Sequence, residues 1–243
     1  MIIIKDLFNS QIFELKMGNL RTTEKELSEI SDEEIVSIVN NSNYDHITLR
    51  ISSNRKDLLN RLSSIGFYLG DVLVELELKK KSISPIYSDN VCYREFNCND
   101  VDGIKKIARE SFTIDRYHTD KNLPSHLCDR YYEEWAYNSC NGFAEGIIVA
   151  EVDHNVCGFF TYKTYADDQF GHLVLGALDK NYRGRGIFKG LIIESAKSML
   201  CKHDTLMGIM VGTQISNISA LRAYINAGFN VKESLYVLHY YQQ

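Results

Sequence analysis

Leu173-Val-Leu-Gly-Ala-Leu-Asp-Lys-Asn-Tyr-Arg183-Gly-Arg-Gly186-Ile-Phe-Lys-Gly190 is the stretch on which the reading of this chain turns. An apolar strand, Leu173 to Leu178, enters a tight turn in which glycines alternate with arginines. The chain leaves as a helix whose apolar face carries Leu191, Ile192 and Ala196 and which runs to about Lys202. Successive backbone N–H groups at such a turn, together with the helix N-terminus, form a concave anion site suited to a pyrophosphate. Gly184 and Gly186 have no Cβ, so a ligand can come close to the main chain. A dinucleotide fingerprint would need GxGxxG at the first strand-to-helix turn and an acidic residue about 20 positions later. Here the third glycine is misplaced and the turn comes late in the chain. The phosphate-loop pattern GxxxxGK[ST] is absent as well.

Outward from this turn the chain reads as alternating strands and helices. Upstream lie a helix over Asp100–Ser111 capped by Asp100, a helix over Asp129–Asn138 carrying Trp135, the only tryptophan, and strands at Gly146–Glu151 and Gly158–Lys163 joined by the turn Asp153-His154-Asn155. His172–Leu178 is a third strand. Downstream come a strand over Leu206–Val211, a helix over Ser219–Ala227 and a strand over Ser234–Tyr240. Residues 79–90, a lysine run followed by one of two prolines and then polar turn residues, read as a linker. The expected organisation is an N-terminal α/β domain over 1–80, a linker over 81–90 and a catalytic domain over 91–243. In the first domain Asp45–Ile51 and Val72–Leu78 alternate as strands, and Arg55–Ile65 has helical spacing.

The two parts echo one another. Leu62-Ser-Ser-Ile-Gly66-Phe67 and Tyr224-Ile-Asn-Ala-Gly228-Phe229 each end a helix that follows one strand and precedes another. Aligned this way, Tyr224 falls on Leu62 and Asn217 on Arg55. The first part is read as a reduced copy that keeps the fold and lacks the chemistry. A glycine C-cap before a strand is also a common helix ending in its own right.

Two motifs in order resemble the GNAT superfamily of N-acyltransferases. Arg183-Gly-Arg-Gly186 resembles its acetyl-CoA motif Arg/Gln-x-x-Gly-x-Gly/Ala. Asn217-Ile-Ser-Ala220-Leu-Arg-Ala-Tyr224-Ile-Asn-Ala-Gly228-Phe229 resembles its Asn-x-x-Ala-x-x-x-Tyr-x-x-x-Gly-Phe segment. The last position of the first motif, Gly or Ala in the family, is Phe188, which either reshapes the pocket or places an aromatic ring in the core. Ser111–Asp120, Tyr131-Tyr-Glu-Glu-Trp135 and Val211–Asn217 are similar to segments of the dTDP-fucosamine acetyltransferase group of nucleotide-sugar N-acyltransferases.

The resemblance implies a GNAT fold, an α/β (α+β) arrangement with a central mixed, mostly antiparallel sheet flanked by helices. It also implies acetyl-CoA or another acyl-CoA as cosubstrate, bound by Leu178, Arg183, Gly184, Arg185, Gly186, Ile187, Phe188 and Asn217. The acyl group would pass directly to the amine of a dTDP-linked amino-dideoxyhexose, in surface-polysaccharide or O-antigen synthesis. Another amine (a protein N-terminus, a polyamine, an antibiotic) or a non-catalytic CoA-binding role are the alternatives. A backbone N–H freed in the splayed strand Leu173–Leu178 would hold the oxyanion. Tyr224 would be the general acid for the leaving thiolate, since a phenol stays protonated at neutral pH. His118 is the first choice of base and His172 the second, with water as the equal alternative. His118 has the other reading of a loop residue bonded to Asp115 or Asp120 that shapes the sugar pocket. Glu133 and Glu134 read as a solvated face.

Bulk properties narrow the classes further. The chain has 243 residues, 44% hydrophobic, with a net charge of −5 spread along it, which leaves no basic tract for a nucleic-acid partner. The apolar start Met1–Ile4 meets charge at Lys5, unlike a signal peptide, and no run reaches the ~18 apolar residues that span a bilayer. The expectation is a cytoplasmic protein without a membrane partner; a homodimer follows from the resemblance alone. Six scattered cysteines without a CxxC pair read as free thiols. They and the histidines show no metal-ligand spacing, so no metal is expected, and His46, His126, His154, His203 and His239 read as surface or satisfied side chains.

Overall fold

The computed structural model describes residues 1–82, 90–113, 115–166 and 168–242. Most of the expected linker, residues 83–89, lies outside the described residues. In chain order the elements are β1 (Ile2–Lys5), α1 (Leu7–Phe13), β2 (Met17–Arg21), α2 (Glu24–Glu29), α3 (Asp32–Asn40), β3 (His46–Ser52), α4 (Lys56–Ser64) and β4 (Tyr68–Lys79). They continue with β5 (Cys92–Glu95), α5 (Val101–Ser111), α6 (Ser125–Asn138), β6 (Gly146–Val152), β7 (Asn155–Lys163), β8 (Phe170–Leu178), α7 (Ile187–Lys202), β9 (Gly208–Gln214), α8 (Ile218–Asn226) and β10 (Asn230–Tyr241).

Alternation along the strands sorts the side chains onto two faces, and burial of the apolar ones draws the helices onto both. On one face α7 and α8 cover Val74, Leu76, Leu78, Phe160 and Val211, while α2, α3 and α4 cover Ile47, Leu49, Ile51 and Leu238. On the other, α1, α5 and α6 cover Met17, Ile147, Val149, Phe159 and Leu175. The strands form one sheet in the order β1-β2-β3-β10-β4-β9-β8-β7-β6-β5. It is antiparallel except for β2–β3 and β8–β9. α7 packs across β5 to β8: Leu191, Ile192, Ala196 and Met199 are fully buried, each large side chain among them stabilising the fold by roughly 1.5–3 kcal/mol.

The two segments of the sequence echo share one order of elements, and their strands are exchanged in the sheet. β3–α4–β4 and β9–α8–β10 each run strand, helix, strand, yet β4 pairs with β9 and β10 pairs with β3, while β4 and β10 pair with each other. Both helices end alike. Gly66 (φ +103°) and Gly228 (φ +97°) take the left-handed conformation that glycine tolerates best. Phe67 N then donates to Leu62 O and Phe229 N to Tyr224 O, each at 3.0 Å, so the open carbonyls of the last turn are satisfied in the same way.

Local expectations need correcting at several element ends: β4, β7 and β10 begin at Tyr68, Asn155 and Asn230, earlier than their alternation suggests. α6 starts at Ser125 because Pro124, fixed at φ −65°, takes the N-cap position, and its carbonyl accepts from Leu127 N and Cys128 N. Asp100 stands at the N-cap of α5 without capping it. Its carboxylate accepts from Asn97 N at 2.8 Å and from Arg94 at 2.7 and 2.9 Å, and Arg94 also reaches Glu151, tying the sheet edge to the helix. β9 begins at Gly208 and runs on to Gln214, held over its last residues by β4. All six cysteines are unpaired.

Candidate active site

The parallel pairing of β8 with β9 stops at Leu173–Val211. Beyond it β8 stays on β7, and Gly212–Gln214 of β9 stay on β4, so the two strands part. Leu175 N donates to Thr161 Oγ1 and Asp179 N to Cys157 O, which turns these residues toward β7. By alternation Gly176 and Leu178 turn their N–H and C=O groups to the open edge. The Leu178 carbonyl is taken there by Arg183 Nε at 3.3 Å. Gly176 offers a main-chain donor there, and the Phe160 ring takes the space that a Cβ would need.

The turn that follows fits an anion. Gly184 (φ +79°) and Gly186 (φ +78°) are both left-handed, and a Cβ at either would meet nothing within 4 Å. Open space and a conformation that disfavours side chains coincide at these two positions. Gly186 is the N-cap of α7 and makes no side-chain cap, so the first N–H groups of this 16-residue helix point into that space with its positive dipole end. Arg183, Arg185 and both glycines are exposed, and Arg185 is held by Asn181 O at 3.1 Å. Ile187 is buried beneath them.

Beside the parted strands stands Tyr224. It is 4% exposed, packed between Phe160, Phe188 and Phe229 at ring distances of 6.4, 6.2 and 5.7 Å. Its hydroxyl has no hydrogen-bond partner among the described residues, and burial alone pushes its pKa well above the usual phenol value. Phe188 is half-buried against the core and stacks on Phe160 at 5.5 Å next to Tyr224. Asn217 caps α8: its Oδ1 accepts from Ala220 N at 3.2 Å and Ser219 Oγ at 3.0 Å, which leaves its NH2 group for a ligand.

On the opposite face a cavity of about 800 Å3 lies between α1, β2, β3 and α6, within the ~300–1,000 Å3 range of small-molecule sites. Phe8, Tyr131, Trp135, Phe143 and Tyr165 give it aromatic walls, Asn19 and Thr48 neutral polar ones, and Arg21, Arg50 and Arg116 cationic ones. Val174 also lines it. Val174 is the first residue of β8 beyond its pairing with β9, so the cavity wall reaches the place where the strands part.

The acetyltransferase (GNAT) family model matches residues 102–229, more than half of the chain. The chain belongs to the GNAT family of acetyltransferases. These are CoA-dependent N-acyltransferases, and the GNAT fold expected from the sequence is the fold found. The spore coat polysaccharide biosynthesis protein SpsD of Bacillus subtilis is 32% identical over 143 residues, 58% of this chain and 47% of SpsD, so the match spans about half the length of that relative. The dTDP-fucosamine acetyltransferase of Escherichia coli O6:H1 is 23% identical over 200 residues, 81% of this chain and 82% of that protein. Among solved structures, a GCN5-related N-acetyltransferase from Sphaerobacter thermophilus superposes with a TM-score of 0.59 at 15% identity, covering 81% of this chain and 59% of that one. No helix among the described residues is long and apolar enough to cross a membrane.

In this GNAT protein the predicted coenzyme residues and Tyr224 gather around the parted strands, whereas His118 does not line the cavity. Its Nδ1 meets Asp115 Oδ2 at 2.5 Å and its Nε2 meets Asp129 Oδ1 at 3.1 Å. Burial opposes its charge, but the bonds to Asp129 and Asp115 outweigh it and the pKa lies above the ordinary histidine value. A base role requires one of these carboxylates to let go. His172 is nearer: its ring packs edge-on to Tyr165 of the cavity wall at 5.1 Å, and Nε2 bonds Asp168 at 2.6 Å.

His46 and His239 differ from their expected surface or satisfied state. Both are fully buried, and neither nitrogen of His46 has a partner among the described residues. With Asp120 they offer ligand atoms within 4.8 Å of one another, a grouping drawn from three distant segments that linear spacing hides. Asp120 Oδ2 accepts from Tyr68 Oη at 2.7 Å and His239 Nδ1 at 3.0 Å. Arg116 acts on both imidazoles as a like charge, so a cation placed among them would meet the same repulsion.

Reading along the sequence also missed the arginines of the cavity. The signal that could have found them is alternation: Arg50 interrupts His46-Ile-Thr-Leu-Arg50-Ile on the face opposite its isoleucines, and Arg21 ends β2 in the same phase as Met17 and Asn19.

Proposed function

We propose that this protein transfers an acetyl or somewhat longer acyl group from acyl-CoA to the amine of a dTDP-linked amino-dideoxyhexose, for a surface polysaccharide. One observation carries the reading: Val174 belongs both to the strand that parts from its neighbour and to the wall of a cavity large enough for a nucleotide sugar. In this proposal the pyrophosphate of CoA lies on Arg183–Gly186 and the first turn of α7, and its arm follows the open edge of β8 toward the cavity. The acceptor nitrogen adds to the thioester carbon. The C–N bond forms as the carbonyl oxygen gains charge beside Gly176 N–H, a donor of a kind worth about 3–4 kcal/mol where it has been removed. Collapse breaks the C–S bond, and Tyr224 gives its proton to the departing sulfur. Both imidazoles on the acceptor face, His118 and His172, are held by carboxylates, so the amine proton leaves through water. The residues before the linker, 1–80, act as a reduced copy of the catalytic unit and supply one side of the cavity.

Release of free thiol from acetyl-CoA, followed across dTDP- and UDP-linked amino sugars, tests the reading. Turnover on a dTDP-linked amino sugar is the expected outcome. Silence across the panel, with CoA still raising the melting temperature, would end the nucleotide-sugar reading and leave a GNAT acting on another amine.

A further inference from the structure

The cavity is charged in a way the protein itself does not balance. Arg21, Arg50 and Arg116 all line it, and none of the three makes an ion pair with a carboxylate among the described residues. The one acidic side chain in the wall, Asp6, is occupied otherwise: its oxygens accept from Asn9 N at 3.0 Å, Asn9 Nδ2 at 2.8 Å and Asn19 Nδ2 at 3.1 Å. Arg116 donates one nitrogen to Tyr117 Oη and lays its guanidinium over the Tyr117 ring at 4.5 Å, but its Nη1 is buried with no partner. The cavity walls around its exposed side chain, and after them the repulsion of Arg116, push the pKa of Arg50 below the ordinary arginine value against the pull of Tyr117 and Glu75, whereas Arg116, although burial opposes its charge, is held above that value by Tyr117, Tyr131 and Tyr132. Three guanidinium groups gathered on one wall with no carboxylate in ion-pair contact make a favourable seat for a polyanion. Guanidinium forks suit phosphate oxygens, which they grip two bonds at a time.

We infer that Arg21, Arg50 and Arg116 form a binding subsite for the diphosphate of the acceptor, an inference that rests on the acceptor being a nucleoside-diphosphate sugar. The cavity then divides its tasks. The arginines hold the diphosphate, the rings of Phe8, Trp135 and Phe143 offer flat apolar surface to the base, and the sugar amine extends past Val174 to the parted strands. This is a second phosphate site, on the other face of the sheet from the turn that takes the coenzyme.

Calorimetric titration of the full chain with inorganic pyrophosphate, dTDP, dTMP and thymidine, with CoA saturating so that the 183–186 turn is filled, tests it. Pyrophosphate and dTDP should bind, dTMP about tenfold more weakly, and thymidine weaker still. Arg50→Gln and Arg21→Gln should each lower dTDP affinity about tenfold or more while CoA affinity holds and the melting temperature stays level or rises, because each removes repulsion. Arg116 is packed on Tyr117, so Arg116→Lys, which keeps the charge and loses the fork, is its informative variant, with weaker dTDP binding in a folded protein expected. Loss of pyrophosphate binding once CoA is present, or thymidine binding as tightly as dTDP, overturns the subsite. Turnover on a nucleotide-linked amino sugar with an unchanged KM in Arg50→Gln and Arg21→Gln overturns the subsite and leaves the acceptor reading standing. Pyrophosphate bound through these arginines without turnover on any nucleotide sugar does the reverse.

Discussion

The unit β2–β3–α4–β4 and the unit β8–β9–α8–β10 follow one plan, and they differ where a ligand would be met. Each opens with a parallel pair of four residues, Met17–Leu20 on His46–Leu49 in the first and Phe170–Leu173 on Gly208–Val211 in the second. In each the next residue, Arg21 or Val174, lines the same cavity. Between the paired strands the first unit enters a helix closed by a reciprocal cap, Thr23 Oγ1 accepting from Glu26 N while the Glu26 carboxylate takes Thr23 N. The second enters α7 through Gly186 with no side-chain cap at all. A capped first turn has spent N–H groups that an uncapped one can give to a phosphate. Further on, Leu62 stands where Tyr224 stands, and Arg55, paired with Asp57 and Glu24, stands where Asn217 caps α8. The two units share one order of elements and differ in what they leave open: an uncapped helix start and a buried phenol in the second, unpaired arginines on the cavity wall in the first.

The sharpest way to break this contrast is to exchange the roles of Leu62 and Tyr224. Tyr224→Phe keeps the ring packing and removes the proton, so kcat in the thiol-release assay should fall about 10²-fold or more with little change in melting temperature. Leu62→Ala should do the opposite, costing about 2–5 kcal/mol of stability in denaturant titration while kcat per folded molecule is unchanged. Full turnover in Tyr224→Phe would erase the functional difference between the units.

The seam between the units offers a second test, through pH. His46 on β3 and His239 on β10 are buried where the two strands pair. Burial, then the charges of His239 and Arg116, lowers the pKa of His46 to about 3, and burial lowers that of His239. In the unfolded chain both titrate near 6.5, so above that value there is no penalty. As pH falls from 6.5 toward 3 the unfolded chain takes up protons that the folded one refuses, and stability is lost. For His46 alone the loss is about 2 kcal/mol at pH 5. His118, whose folded pKa is raised, keeps its full contribution below 6.5 and does not add to the fall. Denaturation midpoints in urea at pH 7 and pH 5 should separate in the native protein and draw together in His46→Gln. Equal separation in both would remove His46 from the seam.

What could be read along the chain follows from the range of the forces involved. The turn at Arg183–Gly186, the helix ends at Gly66 and Gly228, and the long strands flanking them are local patterns, and they were legible. So was the likeness of the two helix endings, because Gly66-Phe67 and Gly228-Phe229 meet the same backbone requirement. The capping boxes Thr23–Glu26 and Ser31–Glu34 were in the sequence too, although α2 and α3 went unread between segments with stronger periodicity. The insertion of β10 between β3 and β4 was not legible, since pairing across some 190 residues leaves no local mark. The cavity was hidden for the same reason. Arg21, Arg50 and Arg116 become a cluster only when β2, β3 and the segment before α6 are brought together, and one by one each is an ordinary arginine beside apolar residues.

The smallest effect discriminates between the two kinds of glycine. Gly66 and Gly184 both have positive φ, so alanine at either strains the backbone by about 1 kcal/mol. At Gly66 a Cβ would in addition stand 3.2 Å from the Tyr240 ring of β10, so the strain adds to a buried contact between the units, and only stability should suffer. At Gly184 the Cβ would enter space that nothing in the protein fills. If that space belongs to the pyrophosphate, Gly184→Ala should cost no more stability than Gly66→Ala and yet weaken CoA binding several-fold in calorimetric titration, while Gly66→Ala leaves CoA affinity as it was. An unaltered CoA affinity in Gly184→Ala would mean that the uncapped start of α7 is open for some reason other than the coenzyme, and the contrast between the capped and uncapped helices would lose its functional meaning.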